Sequence, residues 1–291
     1  MVWLITGANG QLGLTLAAQL TIRELNFVAL DSKQLDITNR DQVNKVISNI
    51  RPQVIINAAA WTNVDKAESN RSAVFDVNAK GVENLVFAAQ KTSSILVQIS
   101  TDYVFSGKSD VPWMEDSRLD PQNVYGQSKA AGEEVINKFY LERSYIVRTA
   151  WLYSEYGNNF AKTICRVALN SEKEVKVVND QIGQPTSAKE LADQIIMLVN
   201  SGAEFGTYHA TSRGQTSWYG FAREIFKLNG SALDRVIPIV ASEYPSIAKR
   251  PIYSVLGHKK WFDSGLMPIR PWEICLVESL PRLIASIAIK G

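Results

Sequence analysis

Cysteine and histidine are scarce in this chain of 291 residues, which holds two of each: Cys165 and Cys275, His209 and His258. The thiols stand far apart with no Cys-x-x-Cys pair, which excludes a disulfide framework and a cysteine-based zinc motif. Two separated imidazoles make no metal cluster, and each reads as a core or surface residue rather than a ligand. Charge of one sign is lacking too. The formal net charge is +2, too little for a surface built to bind nucleic acid or an anionic membrane. No apolar run approaches the length that spans a bilayer. The opening run Val2–Thr6 breaks at Gly7, too short for a signal peptide and without a basic flank. A soluble cytoplasmic protein is the expectation. No internal repeat and no low-complexity tract interrupt it.

What is present is globular material. Hydrophobic residues make up 46% and charged residues 21%, enough for a sizeable core and too apolar for disorder. In the first half, short β-branched runs alternate with helical patterns. Strands are expected at Val2–Thr6, Asn26–Leu30, 54–56, 95–99 and 145–148. Helices are expected at 11–20, Arg40–Ile50, 73–90 and Val124–Phe139. Apolar strands each followed by a helix imply a parallel sheet with right-handed crossovers, an α/β doubly wound Rossmann-type fold. Beyond about residue 152 the rhythm loosens. A strand at Val175–Val178 and helices at 188–199 and Trp218–Leu228 alternate with Pro- and Gly-rich loops. Residues 1–151 are therefore expected to form mainly the dinucleotide-binding domain. Residues 152–291 are expected to form mainly a smaller α+β substrate-binding cap, interleaved with the last part of the sheet.

The first strand runs straight into Gly7-Ala8-Asn9-Gly10-Gln11-Leu12-Gly13 and then a helix. Glycines permit positive φ and close backbone approach, and a helix N-terminus offers free amides to a pyrophosphate. Gly13 also lets the helix sit against the sheet. Asp31 ends the second strand, where a carboxylate bonds ribose hydroxyls and favours NADH. Ser32 and Lys33 follow at once and suit the 2′-phosphate of NADPH, so both cofactors stay open; Asp31 also reads as a turn residue. Asp36, beside Ile37, either reaches the adenine or caps the next helix. Ala58, Ala59 and Ala60 follow strand three, and their small side chains would let a cofactor lie across the strand ends.

Strand four ends at Ser100-Thr101-Asp102-Tyr103, and the next helix carries Tyr125-Gly126-Gln127-Ser128-Lys129. Tyrosine and lysine four positions apart share a helix face. A phenol is a poor acid at neutral pH, and a nearby ammonium would stabilise its anion. Tyr125 would then protonate a carbonyl oxygen as hydride arrives at carbon, with Thr101 orienting that oxygen. Lys129 would also hold the nicotinamide ribose. Alone, Tyr-x-x-x-Lys is a weak signal. After a glycine turn and a strand-end Ser-Thr pair, in this order, it is a strong one.

Together these motifs resemble the extended short-chain dehydrogenase/reductases, and more narrowly the dTDP-4-dehydrorhamnose reductases. Further matching stretches are Thr62 with Val64-Asp65-Lys66-Ala67-Glu68, Thr149-Ala150-Trp151, Gly157-Asn158-Asn159-Phe160, Gln184-Pro185-Thr186 and Arg250-Pro251. The resemblance implies Thr101, Tyr125 and Lys129 as a catalytic triad. It implies substrate contacts near Thr62, Val64, Asp102, Tyr103 and Trp151, on a dTDP-linked 4-keto-6-deoxysugar. Arg250 reads either as a partner of the diphosphate or as a solvated arginine. The implied reaction takes dTDP-4-dehydro-L-rhamnose to dTDP-L-rhamnose with NADPH or NADH, with a homodimer as a further expectation. Some relatives bind magnesium through glutamates. Glu190 is suitably placed, but Thr15 stands where the other glutamate would, so no metal is expected.

Other chemistry on the same fold is weighed by residue. Sugar-nucleotide dehydratases place Asp-Glu after the threonine, whereas here Tyr103 follows Asp102, and a phenol is a weak acid toward a leaving hydroxyl. A C4 epimerase uses the same Tyr-Lys pair, but the stretch from Thr101 to Phe105 favours a reductase, including one that yields a C4 epimer such as 6-deoxy-L-talose. The regulatory subunit of methionine adenosyltransferase is similar in sequence and works by binding a partner; Tyr125 and Lys129 argue for an enzyme instead. Glu133, Glu134 and Lys138 read as an exposed helix face.

Overall fold

The computed structural model describes residues 1–288. Its first half runs β1 (Val2–Thr6), α1 (Gln11–Ile22), β2 (Asn26–Leu30), α2 (Arg40–Ile50), β3 (Val54–Asn57), α3 (Val64–Ser69), α4 (Arg71–Phe75), α5 (Gly81–Thr92), β4 (Ile95–Thr101), α6 (Val124–Phe139) and β5 (Ser144–Thr149). The second half runs β6 (Leu152–Tyr153), α7 (Phe160–Asn170), β7 (Val175–Val178), β8 (Ile182–Gly183), β9 (Thr186–Ser187), α8 (Ala188–Ser201), β10 (Gly206–His209), β11 (Thr216–Ser217), α9 (Trp218–Leu228), β12 (Val236–Ile239), α10 (Lys259–Asp263) and α11 (Trp272–Ala288). Among the described residues, no helix is long and apolar enough to cross a membrane.

Six parallel strands form the central sheet in the order β10-β5-β4-β3-β1-β2. β1, β3 and β5 are buried almost end to end, as strands covered on both faces must be. Alternate side chains supply two cores. Trp3, Ile5, Ile56 and Val147 pack with α1 and α8 on one face. Leu4, Ile55, Leu96 and Ile146 pack with α2, α5 and Ile136 of α6 on the other. A third core, built on Tyr153, Cys165, Phe221 and Leu276, belongs to the second half of the chain. From β1 the chain goes to β2 on one side and reaches β3 on the other. The order reverses there, which opens a crevice at the carboxyl ends of the strands.

One expected helix is interrupted. Residues 73–90 read as continuous, but α4 passes through a π turn at Asp76–Lys80 before α5 begins. The extra residue turns Asn78 inward. Its Nδ2 donates to the Trp61 carbonyl (3.1 Å) and to Ser128 Oγ (2.9 Å), while its Oδ1 accepts from Trp61 N (2.9 Å). A π turn is a common device for aiming a side chain at a functional site.

Candidate active site

Gly7 turns the chain out of β1 with φ +66°. A Cβ there would lie 2.6 Å from the Ala59 backbone nitrogen, so glycine lets β1 and β3 ends meet at the crevice. A Cβ on Gly13 would lie 2.3 Å from the Gly7 carbonyl oxygen, so this glycine lets α1 seat under the turn. The first turn of α1 has Gly10 as N-cap, no side-chain cap and no acidic residue. Its amides are therefore free to receive an anion.

A cleft of about 350 Å³ opens at this point. Gly7, Asn9, Gly10, Asp31, Asp36, Ile37 and Ala58 to Ala60 line it. Leu12 and Gly13 are buried beneath the turn. The Gln11 side chain turns away to the second half of the chain, donating to the Leu152 carbonyl (3.1 Å) and accepting from Asn159 (2.8 Å). Asp31 is both turn residue and cleft wall: Oδ1 accepts from Lys33 N (2.9 Å) and Gln34 N (3.0 Å), and Oδ2 from Asn9 (2.7 Å). Asp36 does not cap α2. Its Oδ1 holds Thr38 N (2.9 Å), and the cap is Asn39, which accepts from Gln42 N (3.0 Å). The glycine turn, the uncapped helix and the small-residue wall fit a dinucleotide.

The second half of the site is built where β4 ends. Thr101 Oγ1 accepts from Tyr103 N (3.2 Å) and donates to Asp102 Oδ1 (2.9 Å). With Asp102 ionised, the threonine proton points to that carboxylate. α6 is pinned at its start by Asn123, which accepts from Gly126 N (2.8 Å), and by Glu68, which accepts from Val124 N (2.8 Å). A Cβ on Gly126 would come within 2.2 Å of the Tyr103 carbonyl, so the glycine brings the helix onto the strand end. Tyr125 then meets Tyr103 edge to face, with ring centroids 5.6 Å apart.

Burial dominates the electrostatics here. It pushes the Tyr125 phenol well up, Asp102 and Tyr103 push it further, and the Thr101 hydroxyl opposes them. The Lys129 ammonium donates to the Ile99 carbonyl (2.5 Å). Burial pushes Lys129 down to about 8, opposed by Glu133. It pushes Asp102 up to about 6, opposed by the Ser254 and Thr101 hydroxyls, and among the described residues Asp102 Oδ2 has no hydrogen-bond partner. A buried carboxylate oxygen left unpaired beside a phenol is costly, and such groups mark functional sites.

The other expected contacts scatter around this centre. Thr62 is exposed on the loop before α3, and Val64, half-buried, opens that helix behind its cap Asn63. Trp151, just past β5, has φ +47° and stacks on Trp218 with centroids 3.5 Å apart. Left-handed backbone on a bulky residue is strained and persists only where packing imposes it. Arg250 is partly buried and already engaged: Nη2 pairs with Asp65 (2.7 Å) and Nη1 reaches the Tyr103 hydroxyl (3.3 Å). Glu190 is held by Arg270 (2.9 Å), which also binds Glu278. Thr15 is buried and bonds its own helix.

Sequence reading missed two residues. Asn78 was visible only as a poor helix former inside a helical pattern. Glu133 reads as exposed but is fully buried, paired with Arg148 (2.6 Å).

A glycine-turn crevice at the switch point of a parallel sheet, with a tyrosine–lysine helix at the end of the fourth strand, defines a Rossmann-type extended short-chain dehydrogenase/reductase. Residues 1–285 match the family model described as the RmlD substrate binding domain, and the chain belongs to that family. It is 42% identical to a dTDP-4-keto-6-deoxy-D-glucose reductase of Streptomyces niveus, covering 98% of each chain. It is 41% identical to a dTDP-4-dehydrorhamnose reductase of Streptomyces griseus over 97% of this chain and 93% of that one. The crystal structure of dTDP-4-dehydrorhamnose reductase from Bacillus anthracis in complex with NADP superposes with a TM-score of 0.92, at 40% identity, covering 96% of this chain and 98% of the other.

Proposed function

We propose that the protein reduces the C4 keto group of dTDP-4-dehydro-L-rhamnose to give dTDP-L-rhamnose, using NADPH. The observation that carries this reading is Tyr125 held against Thr101 and Asp102 where β4 ends, on the same carboxyl-end side of the parallel sheet as the glycine turn that follows β1. The family relatives, named as reductases of dTDP-4-keto-6-deoxysugars, and the NADP complex of one of them support it.

Residues 1–151 mainly hold the dinucleotide and residues 152–291 mainly close over the sugar. The free amides of Gln11, Leu12 and Gly13 at the start of α1 would hold the pyrophosphate. The bound nicotinamide supplies hydride to the sugar C4. Tyr125, kept protonated by its buried setting, gives its proton to the oxygen left at C4. Lys129 has two N–H donors beyond the one spent on Ile99, and these hold the nicotinamide ribose. When a substrate group meets Asp102 Oδ2, that oxygen gains the partner it lacks. Tyr103 and Trp151 flank the sugar, and Thr62 and Val64 bound its nucleotide side.

The test is incubation of purified protein with dTDP-4-keto-6-deoxy-L-hexose and NADPH or NADH, following nicotinamide absorbance and identifying the sugar by NMR. Consumption of NADPH with formation of dTDP-L-rhamnose is expected. The C4 epimer as product would correct the stereochemistry alone, and cofactor binding without consumption would overturn the enzymatic reading.

A further inference from the structure

Glu133 lies one helical turn beyond Lys129 and two beyond Tyr125, on the same face of α6, and has no exposure to solvent. Its carboxylate accepts from Ser100 Oγ (2.5 Å), Arg148 Nε (3.0 Å) and Arg148 Nη2 (2.6 Å). Ser100 immediately precedes Thr101 and is the register partner of Arg148 on β5. Glu133 thus ties the helix of the tyrosine and lysine to both strand ends beneath them. Arg148 is satisfied in turn by the Glu115 carbonyl (3.0 Å) and by His209 Nε2 (3.2 Å), and lies over the Phe105 ring. His209 Nδ1 faces the Gly257 carbonyl (3.0 Å), which can only accept, so the proton sits on Nδ1 and Nε2 accepts from the arginine.

A buried ion pair is expensive: desolvation costs several kcal/mol per ion, and well-packed apolar residues would fill the space at least as stably. Lys129, a second buried cation, lies one helical turn from Glu133 on the same face of α6.

We propose that Glu133 is a positioning residue of the reductase site, which keeps Lys129 an ammonium and fixes the strand end that carries Thr101. This rests on the role given to Lys129 above. Burial works against that charge, and Glu133 is the group that opposes it. The other groups around Lys129 are accounted for. Tyr125 lies one turn back on α6, and Asp102 and Tyr103 lie on the turn after β4. On α3, Asp65 is paired with Arg250 and Glu68 is spent on the α6 N-terminus. Lys66, Arg71, Asp76 and Lys80 are exposed, and Glu83 on α5 is half-exposed. Arg148 is paired with Glu133 itself.

The experiment follows the Lys129 side-chain resonance against pH in full-length protein labelled at lysine, assigned by its loss in Lys129→Arg. Glu133→Gln should lower the Lys129 midpoint by about one pH unit, the low end of what a neighbouring charge does. The alkaline limb of kcat should move to lower pH with it. Glu133→Gln/Arg148→Met, which removes the guanidinium along with its carboxylate, should fold even where the single variant does not, and its Lys129 midpoint should lie below that of Arg148→Met alone. A Lys129 midpoint unchanged in a folded variant, whatever its melting temperature, would overturn the proposal. Absence of turnover by the parent protein would instead sink the functional reading, and the titration would still decide the role of Glu133.

Discussion

Tyr125 and Asp102 stand side by side, and the chemistry expected of one depends on the charge of the other. Tyr125→Phe removes only the proton donor. Cofactor affinity measured by fluorescence titration should stay near the parent value, while turnover falls by roughly 100- to 10,000-fold, the usual weight of a general acid. Near-normal turnover would remove Tyr125 from the mechanism. Asp102 is a carboxyl whose folded pKa, about 6, is raised by burial. The folded state therefore binds more protons than the unfolded state between the ordinary carboxyl range and pH 6, and stability falls as pH rises through that window. Asp102→Asn lacks this penalty. In urea denaturation its stability relative to the parent should increase from pH 5 to pH 8, by roughly 1.5 kcal/mol. A difference that does not vary with pH would show that the carboxylate is not desolvated.

Among helices and turns, α6 shows how sequence becomes geometry. Its span and its face are legible: Val124–Phe139 reads as a helix, and Tyr125 and Lys129 share a face by spacing. Its seat is not. Contact with the turn after β4 depends on Gly126, whose significance appears only where the Tyr103 carbonyl arrives from elsewhere in the chain. Gly126→Ala should push the helix off that turn. The expected cost is about 1–3 kcal/mol by thermal or urea denaturation, with turnover down more than about tenfold because Tyr125 is displaced. A variant with parent-like stability and rate would show that the close approach is dispensable. The π turn at Asp76–Lys80 escaped the pattern for a related reason. Periodicity reports which face is apolar, and one inserted residue leaves that face nearly unchanged.

Across the fold, polar contacts stitch the two halves of the chain together, and Asp65 makes several of them. Its Oδ1 accepts from Ser246 Oγ (3.2 Å) and Ala248 N (3.0 Å), and its Oδ2 pairs with Arg250 (2.7 Å). This holds the segment 244–250 over α3 and beside Tyr103. The ion pair is partly exposed, so its contribution to global stability is below about 1 kcal/mol. Its local effect is larger. Asp65→Ala should leave the melting temperature within a few degrees while making the bonds near Tyr244 and Lys249 cleave faster in limited proteolysis, since local opening needs no global unfolding. Unchanged cleavage would show that the segment is held by other contacts, such as the Asn123 side chain on the Lys249 carbonyl (2.8 Å).

The linear order of residues was enough to specify the alternating strands and helices, the glycine turn and the Tyr125–Lys129 face, because period, capping and spacing act over a few positions. Folding in three dimensions decided the rest. Which charges pair is a matter of distance between remote segments: Glu133 with Arg148, Arg250 with Asp65, Glu190 with Arg270. Which groups lose water depends on what packs over them, and that sets the protonation of Asp102, Tyr125 and Lys129. A sequence pattern carries neither the remote distances nor the dielectric around a side chain, so the chemistry was readable as a set of residues and its electrostatics were not.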